Sequence, residues 1–149
     1  MSDEAAQRAA VVAEAMTWLG TPYHPRARVK GAGVDCAMLP SQIYFACGLI
    51  PLVDPEYSEQ WHLHRDEELY LSFVKPHARE ITREQIGPGD FAIWKIGRVY
   101  SHGAIITALP STIVHATLAA NMVTLDDMDR DELLRTHPVR FWSLWGPRA

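Results

Sequence analysis

The sequence predicts an α+β domain in which N-terminal helices pack on an antiparallel β-sheet. Three observations predict it. An Ala-rich opening segment repeats apolar positions at helical spacing. A second apolar helical segment follows a Gly-rich loop. From residue 91 onward the pattern changes to short β-type runs broken by Gly, Pro and Asn, as in hairpin-linked strands. The chain has 149 residues, 48% apolar and 21% charged. That is enough to bury a core as one domain spanning residues 1–149. No internal repeat, low-complexity stretch or linker divides it.

Each element follows from local signals. Residues from about Asp3 to Leu19 read as the first helix, with acids in the first turn where the helix dipole favours them. Gly20 and Pro22 stop it. Residues 21–34 read as loop. The second helix starts near Asp35 or Cys36 and runs to Ala46, with Gly48 at its C-terminal stop. Pro40 falls in or just after its first turn, where a missing N–H matters least. A Pro-bearing loop over 49–62 leads to a third helix at about 64–74. One helical turn is expected over 82–86, before Gly87-Pro88-Gly89-Asp90. The strands expected are Phe91–Ile96, His102–Ala108, Thr112–Thr117, Met122–Leu125 and about Pro138–Leu144.

Composition narrows the function. The formal net charge of −4 argues against non-specific nucleic-acid binding, which normally shows a basic surplus. No apolar run approaches the ~20 residues of a membrane span. Met1-Ser2-Asp3-Glu4 is acidic and does not read as a secretory signal, so synthesis in the cytoplasm is expected. Cys36 and Cys47 sit at opposite ends of one predicted helix, too far apart for a disulfide.

Cys36 follows Asp35 at the predicted helix start. There the dipole and unpaired N–H groups would lower a thiol pKa and could stabilise an oxyanion. The plain alternative is a small buried hydrophobe. Cys47, late in the helix among Phe45, Ala46 and Leu49, reads as an inert core thiol. Of seven histidines, His102 and His115 fall inside strand runs. A hairpin turn centred between Ala108 and Leu109 pairs residue 102 with 115; centred one residue later, it pairs 102 with 117. The two imidazoles are then directly opposite or diagonal on one face. This meets the needs of a nucleophile–base–orienter set. A metal reading, with zinc on Cys36, His102 and His115 or on His62 and His64, lacks any supporting ligand spacing. The expectation is no metal and no cofactor. His62 and His64 either begin the third helix or line the cleft, and Trp61 is placed to wall it. Arg26, Arg28 and Lys30 read as a solvated loop face or as an anion site beside the nucleophile.

These residues resemble the NlpC/P60 family of cell-wall peptidases. The matching pieces are Trp-Leu-Gly-Thr-Pro-Tyr (18–23), Gly-Val-Asp-Cys (33–36), Pro-Gly-Asp-Phe (88–91), Ser-His-Gly-Ala-Ile-Ile (101–106) and Val-His-Ala (114–116), in the family's order. The resemblance implies a papain-like core, with Cys36 as nucleophile, His102 as base and His115 as orienter. It implies that Tyr23 assists the oxyanion or substrate, and that Asp35 lies near the substrate's free amine. The implied reaction is hydrolysis of the γ-D-glutamyl–diamino acid bond in peptidoglycan stem peptides at the cell wall. Ala37-Met38 replaces the usual Ser-Gly, and His24-Pro25-Arg26 replaces Trp-Gly-Gly, both on the substrate side. The segment Trp61–Leu69 resembles the phage-encoded branch, which implies phage tail or gene-transfer-particle proteins as partners.

Overall fold

The computed structural model describes residues 3–25, 27–52 and 74–146. The expected third helix, apart from Val74, lies outside the described residues, as do Trp61, His62, His64 and Arg26. Helix α1 spans Asp3–Thr17. A small antiparallel pair follows, β1 at Arg28–Val29 and β2 at Gly33–Val34. Helix α2 spans Met38–Ala46. The remaining strands are β3 (Arg79–Ile81), β4 (Phe91–Ile96), β5 (Val99–Ala108), β6 (Thr112–Thr117), β7 (Met122–Asp127) and β8 (Val139–Ser143). Single 3-10 turns occupy Arg83–Gln85 and Leu134–Thr136. No described helix is long and apolar enough to cross a membrane.

Six strands form one antiparallel sheet in the order β3-β8-β4-β5-β6-β7. The five strands expected from the sequence are all present. β3 was not expected, because Arg79-Glu80-Ile81 offers one apolar residue and two exposed ones. Nor does the sequence reveal that β8 inserts between β3 and β4, pairing Phe91 with Trp142. That pairing is long-range, and no turn motif encodes it.

The sheet separates two apolar layers. On one face Ile93, Ile105 and Val114 pack against Val11 and Ala15 of α1 and Leu39 and Ile43 of α2. On the other, Ala92, Trp94, Ala104 and Ile113 pack with Phe141, Met128 and Leu134. Alternation along each strand produces this division. Fully burying a side chain such as Ile43 or Leu39 contributes roughly 1.5–3 kcal/mol.

Polar contacts fasten α1 and α2 to the turn that leads into β4. Arg8 lies 3.0 Å from the fully buried Asp90 and donates to the Pro88 carbonyl. Asp90 in turn accepts from the Gly87 N–H, and Tyr44 donates to the Gly89 carbonyl at 2.6 Å. Gly89 has φ +95°, and a Cβ there would meet both the Arg8 backbone and the Trp145 ring at 3.2 Å. Both conditions call for glycine.

Candidate active site

Asp35 forms the start of α2. Its carboxylate accepts the N–H groups of Ala37 (3.1 Å) and Met38 (2.8 Å), and its carbonyl accepts the N–H of Leu39 (3.1 Å). It therefore acts as the N-cap. Regular helix is delayed to Met38 because Pro40 has no N–H to give to the Cys36 carbonyl. The sequence expectation of several unpaired N–H groups beside the thiol is thus corrected. Two are taken by the Asp35 side chain. The N–H of Cys36 itself faces the Tyr23 hydroxyl and its own sulfur, and favours the ionised form of each.

Cys36 is half-buried, and both cysteines are free thiols. Its Sγ lies 3.8 Å from the Tyr23 hydroxyl, which donates to it, and 3.7 Å from the Ser101 carbonyl, to which the thiol donates. Tyr23 is delivered by a segment held on both sides. Its N–H donates to Asn121, while Val34 N–H donates to Pro22 and His24 N–H donates to Val34. Burial, reinforced by the Asp35 charge, pushes the Cys36 thiol up to about 12; the Tyr23 hydroxyl and local N–H groups oppose this. The expected depression by the helix dipole is overridden. The Tyr23 phenol is also raised, chiefly by burial and then by Cys36.

The imidazoles come from the sheet. The β5–β6 register pairs Ile105 with Val114 and Ile106 with Ile113, which makes the two histidines diagonal rather than directly opposite. The ladder thus follows the later of the two centrings, and the register slips once more between Ile106 and Ala108 on the way to the turn. His102 Nε2 lies 2.9 Å from His115 Nδ1, and His115 Nε2 lies 3.0 Å from Asp126 Oδ2. His102 pairs with Trp94 across β4 and shares its face with the second apolar layer. Burial, with the neighbouring His115, holds the His102 imidazole down to about 3, against the opposing pull of Asp131. Among the described residues, no hydrogen bond takes His102 Nδ1.

The structure therefore gathers the five sequence candidates into two groups, Tyr23-Asp35-Cys36 and His102-His115. They adjoin at a bulge. The β4–β5 register slips between Trp94 and Lys95, leaving Ser101 as the extra residue. The Ser101 carbonyl faces the thiol, and His102 is the next residue. No hydrogen bond joins Sγ to the His102 ring.

Asp126 was not among the candidates, although the same hairpin reasoning could have found it. His115 pairs with Thr124 across the β6–β7 ladder, which places Asp126 on the diagonal of the same face. Asp131 completes a trio with His115 and Asp126 whose ligand atoms all lie within 4.8 Å of one another. Among the described residues this trio shares only His115 with the sets weighed from the sequence, and His115 Nε2 is already engaged by Asp126. Lys30 lies 2.7 Å from Glu14 of α1 and over the Trp18 ring, so it faces α1 as well as solvent. Cys47 caps the end of α2 against the core, its thiol raised by burial.

No protein-family model matches the chain, and no curated protein is similar to it in sequence. Solved structures are. The NlpC/p60 domain of the peptidoglycan hydrolase SagA superposes with a TM-score of 0.64 at 21% identity, over 89% of this chain and 96% of that one. NlpC2 from Trichomonas vaginalis gives 0.67 at 16% identity, over 92% of this chain and 48% of that one. The peptidoglycan hydrolase RipB from Mycobacterium tuberculosis gives 0.63 at 13%, over 99% and 70%. The chain thus spans nearly all of the SagA domain but less than half of the Trichomonas chain. These likenesses define the class of fold: an α+β, papain-like NlpC/P60 domain with two described helices beside a six-stranded antiparallel sheet.

Proposed function

We propose that this chain is a member of the NlpC/P60 family and a cysteine hydrolase of bacterial peptidoglycan stem peptides. The observation that carries the reading is the meeting of two groups at one bulge. A helix-start thiol touches the backbone of Ser101, and the next residue, His102, begins a hydrogen-bonded imidazole pair with its own Nδ1 left without a hydrogen bond among the described residues. The fold likeness to peptidoglycan hydrolase domains supports the substrate class.

In the proposed reaction the Cys36 sulfur attacks the amide carbonyl as its proton passes to His102 Nδ1. A S–C bond forms and the carbonyl π pair moves onto oxygen. The oxyanion is met by the Cys36 N–H and the Tyr23 hydroxyl. The imidazolium then protonates the leaving amine as the C–N bond breaks, and water hydrolyses the thioester. The thiol and the imidazole are both neutral at rest, so proton transfer accompanies attack rather than preceding it. His115 orients His102. Asp35 is assigned to the substrate's free amine, and the γ-D-glutamyl–diamino acid bond is the proposed target. Action at the cell wall, with delivery by a phage tail or gene-transfer particle, is the matching biological setting.

Mass spectrometry of products from defined muropeptides tests this. Wild type should cleave them and Cys36→Ala should not, with its fold retained. Turnover by Cys36→Ala would end the assignment.

A second reading, a tail component that keeps the fold without turnover, is favoured by the raised thiol pKa and the missing Sγ–imidazole bond. Alkylation separates the two readings. Cys36 reacting no faster than Cys47 near neutral pH would favour the structural role.

A further inference from the structure

We propose that Asp126 is a positioning residue that sets the proton direction of the whole imidazole relay and so makes His102 Nδ1 the basic atom. The inference deepens the hydrolase reading and rests on it for the identity of the reaction.

A chain of hydrogen bonds links Asp126 through His115 to His102. The Asp126 carboxylate is oriented at both oxygens. Oδ1 accepts the Asp127 N–H at 2.9 Å, and Oδ2 lies 3.0 Å from His115 Nε2. An ionised carboxylate can only accept, so the proton between them belongs to His115 Nε2. A neutral imidazole carries one N–H, so His115 Nδ1 is left as an acceptor. It lies 2.9 Å from His102 Nε2, which must therefore be the donor. The single N–H of neutral His102 is then on Nε2, and its lone pair is on Nδ1. With both rings in their neutral forms, every proton in the relay is thus fixed by the group at its far end.

The setting suits this task. His115 is 1% exposed, so water does not compete for its tautomer. Among the described residues, the other charged group facing the relay is Asp131, which is itself held in place by accepting the N–H groups of Leu133 and Leu134. It adds negative potential near the ring that becomes cationic, but makes no hydrogen bond to either imidazole among the described residues.

The substitution Asp126→Asn offers an amide that can donate to His115 Nε2. That reverses both tautomers and puts the proton on His102 Nδ1, where it blocks the base. Asp126→Glu keeps a carboxylate acceptor. Imidazole 15N NMR of the full chain should report Nε2–H on both histidines in wild type and in Asp126→Glu, and a changed tautomer in Asp126→Asn. Iodoacetamide alkylation of Cys36 at neutral pH should slow by about ten-fold or more in Asp126→Asn. With muropeptide as substrate, kcat should fall by about 10²-fold or more with KM changed little.

Tautomers unchanged in Asp126→Asn would overturn the proposal, whatever the activity. Should the asparagine variant not fold, Asp126→Ala supplies the same NMR comparison. Retention of pure Nε2–H tautomers on both rings without the carboxylate would be equally fatal. The NMR and alkylation readouts need no peptidoglycan. If they follow Asp126 while wild type leaves muropeptides intact, the relay stands and only the substrate assignment falls.

Discussion

Asp35 and Asp126 are carboxylates placed against the two halves of the site, and they act in opposite senses. At the start of α2, Asp35 is buried, caps the helix through Ala37 and Met38, and opposes thiol ionisation through its charge. On the β5–β7 ladder, Asp126 is partly exposed and ends a chain of hydrogen bonds that leaves one imidazole nitrogen unoccupied. The thiol half is built from residues close in sequence and is held in its resting state. The imidazole half is built from strand register and is arranged to receive a proton. In the proposed reaction neither half acts alone, and the chemistry depends on their junction at Ser101.

The largest break in this comparison is removal of the sulfur. Cys36→Ala should lower muropeptide turnover by several orders of magnitude and leave the thermal unfolding midpoint nearly unchanged, as judged by mass spectrometry and a melting curve. Next is the base. His102→Gln should reduce kcat by about 10²–10⁴-fold in steady-state assays, while Cys36 remains available to alkylation under denaturing conditions.

Asp35 separates capping from charge. Asp35→Asn retains a capping oxygen but removes the negative charge, so the pH profile of Cys36 alkylation should move to lower pH. Asp35→Ala loses the cap as well and should cost about 1 kcal/mol of stability in denaturant titration. Similar alkylation profiles for wild type and Asp35→Asn would show that burial alone holds the thiol protonated.

The last comparison is of stability against pH, where the two halves fail at opposite ends of the scale. His102 has an ordinary value of 6.5 and a folded value of about 3. Between these the unfolded chain binds the extra proton, so stability falls as pH drops through the window. Cys36 has an ordinary value of 9.0 and a folded value of about 12. There the folded chain holds the proton longer, so stability falls as pH rises through that range. Denaturant midpoints measured across pH should flatten on the acid side in His102→Gln and on the alkaline side in Cys36→Ala. A wild-type curve flat in both windows would contradict the burial of both groups.

The sequence made the two halves legible to different depths. Cys36 at a helix start follows from the Gly-rich loop and the apolar run after it, both local signals. The His102–His115 neighbourhood follows from hairpin arithmetic, which narrowed the pairing to two registers but could not choose between them. The choice depends on how the turn between β5 and β6 is offset from the ladder near Thr107, which no residue type announces. Asp126 was within reach of the same arithmetic carried one strand further, since the Leu118–Asn121 turn fixes the β6–β7 pairing. The fate of the helix-start N–H groups was not legible, because the direction of the Asp35 side chain is set by packing around it. β3 and the position of β8 were hidden for a similar reason. A three-residue edge strand has no period, and a partner distant in sequence leaves no mark on local composition.

The bulge at Ser101 has a consequence for how this site tolerates changes in length. Trp94 and His102 lie on one side of the irregularity, and Lys95 and Tyr100 on the other. Losing the extra residue would restore an even ladder without moving the ring from its place beside the tryptophan. What would go is the outward step of the main chain that brings an oxygen against sulfur. One codon, whose contribution here is a main-chain oxygen, thus holds the thiol of α2 against the strand that carries the imidazole.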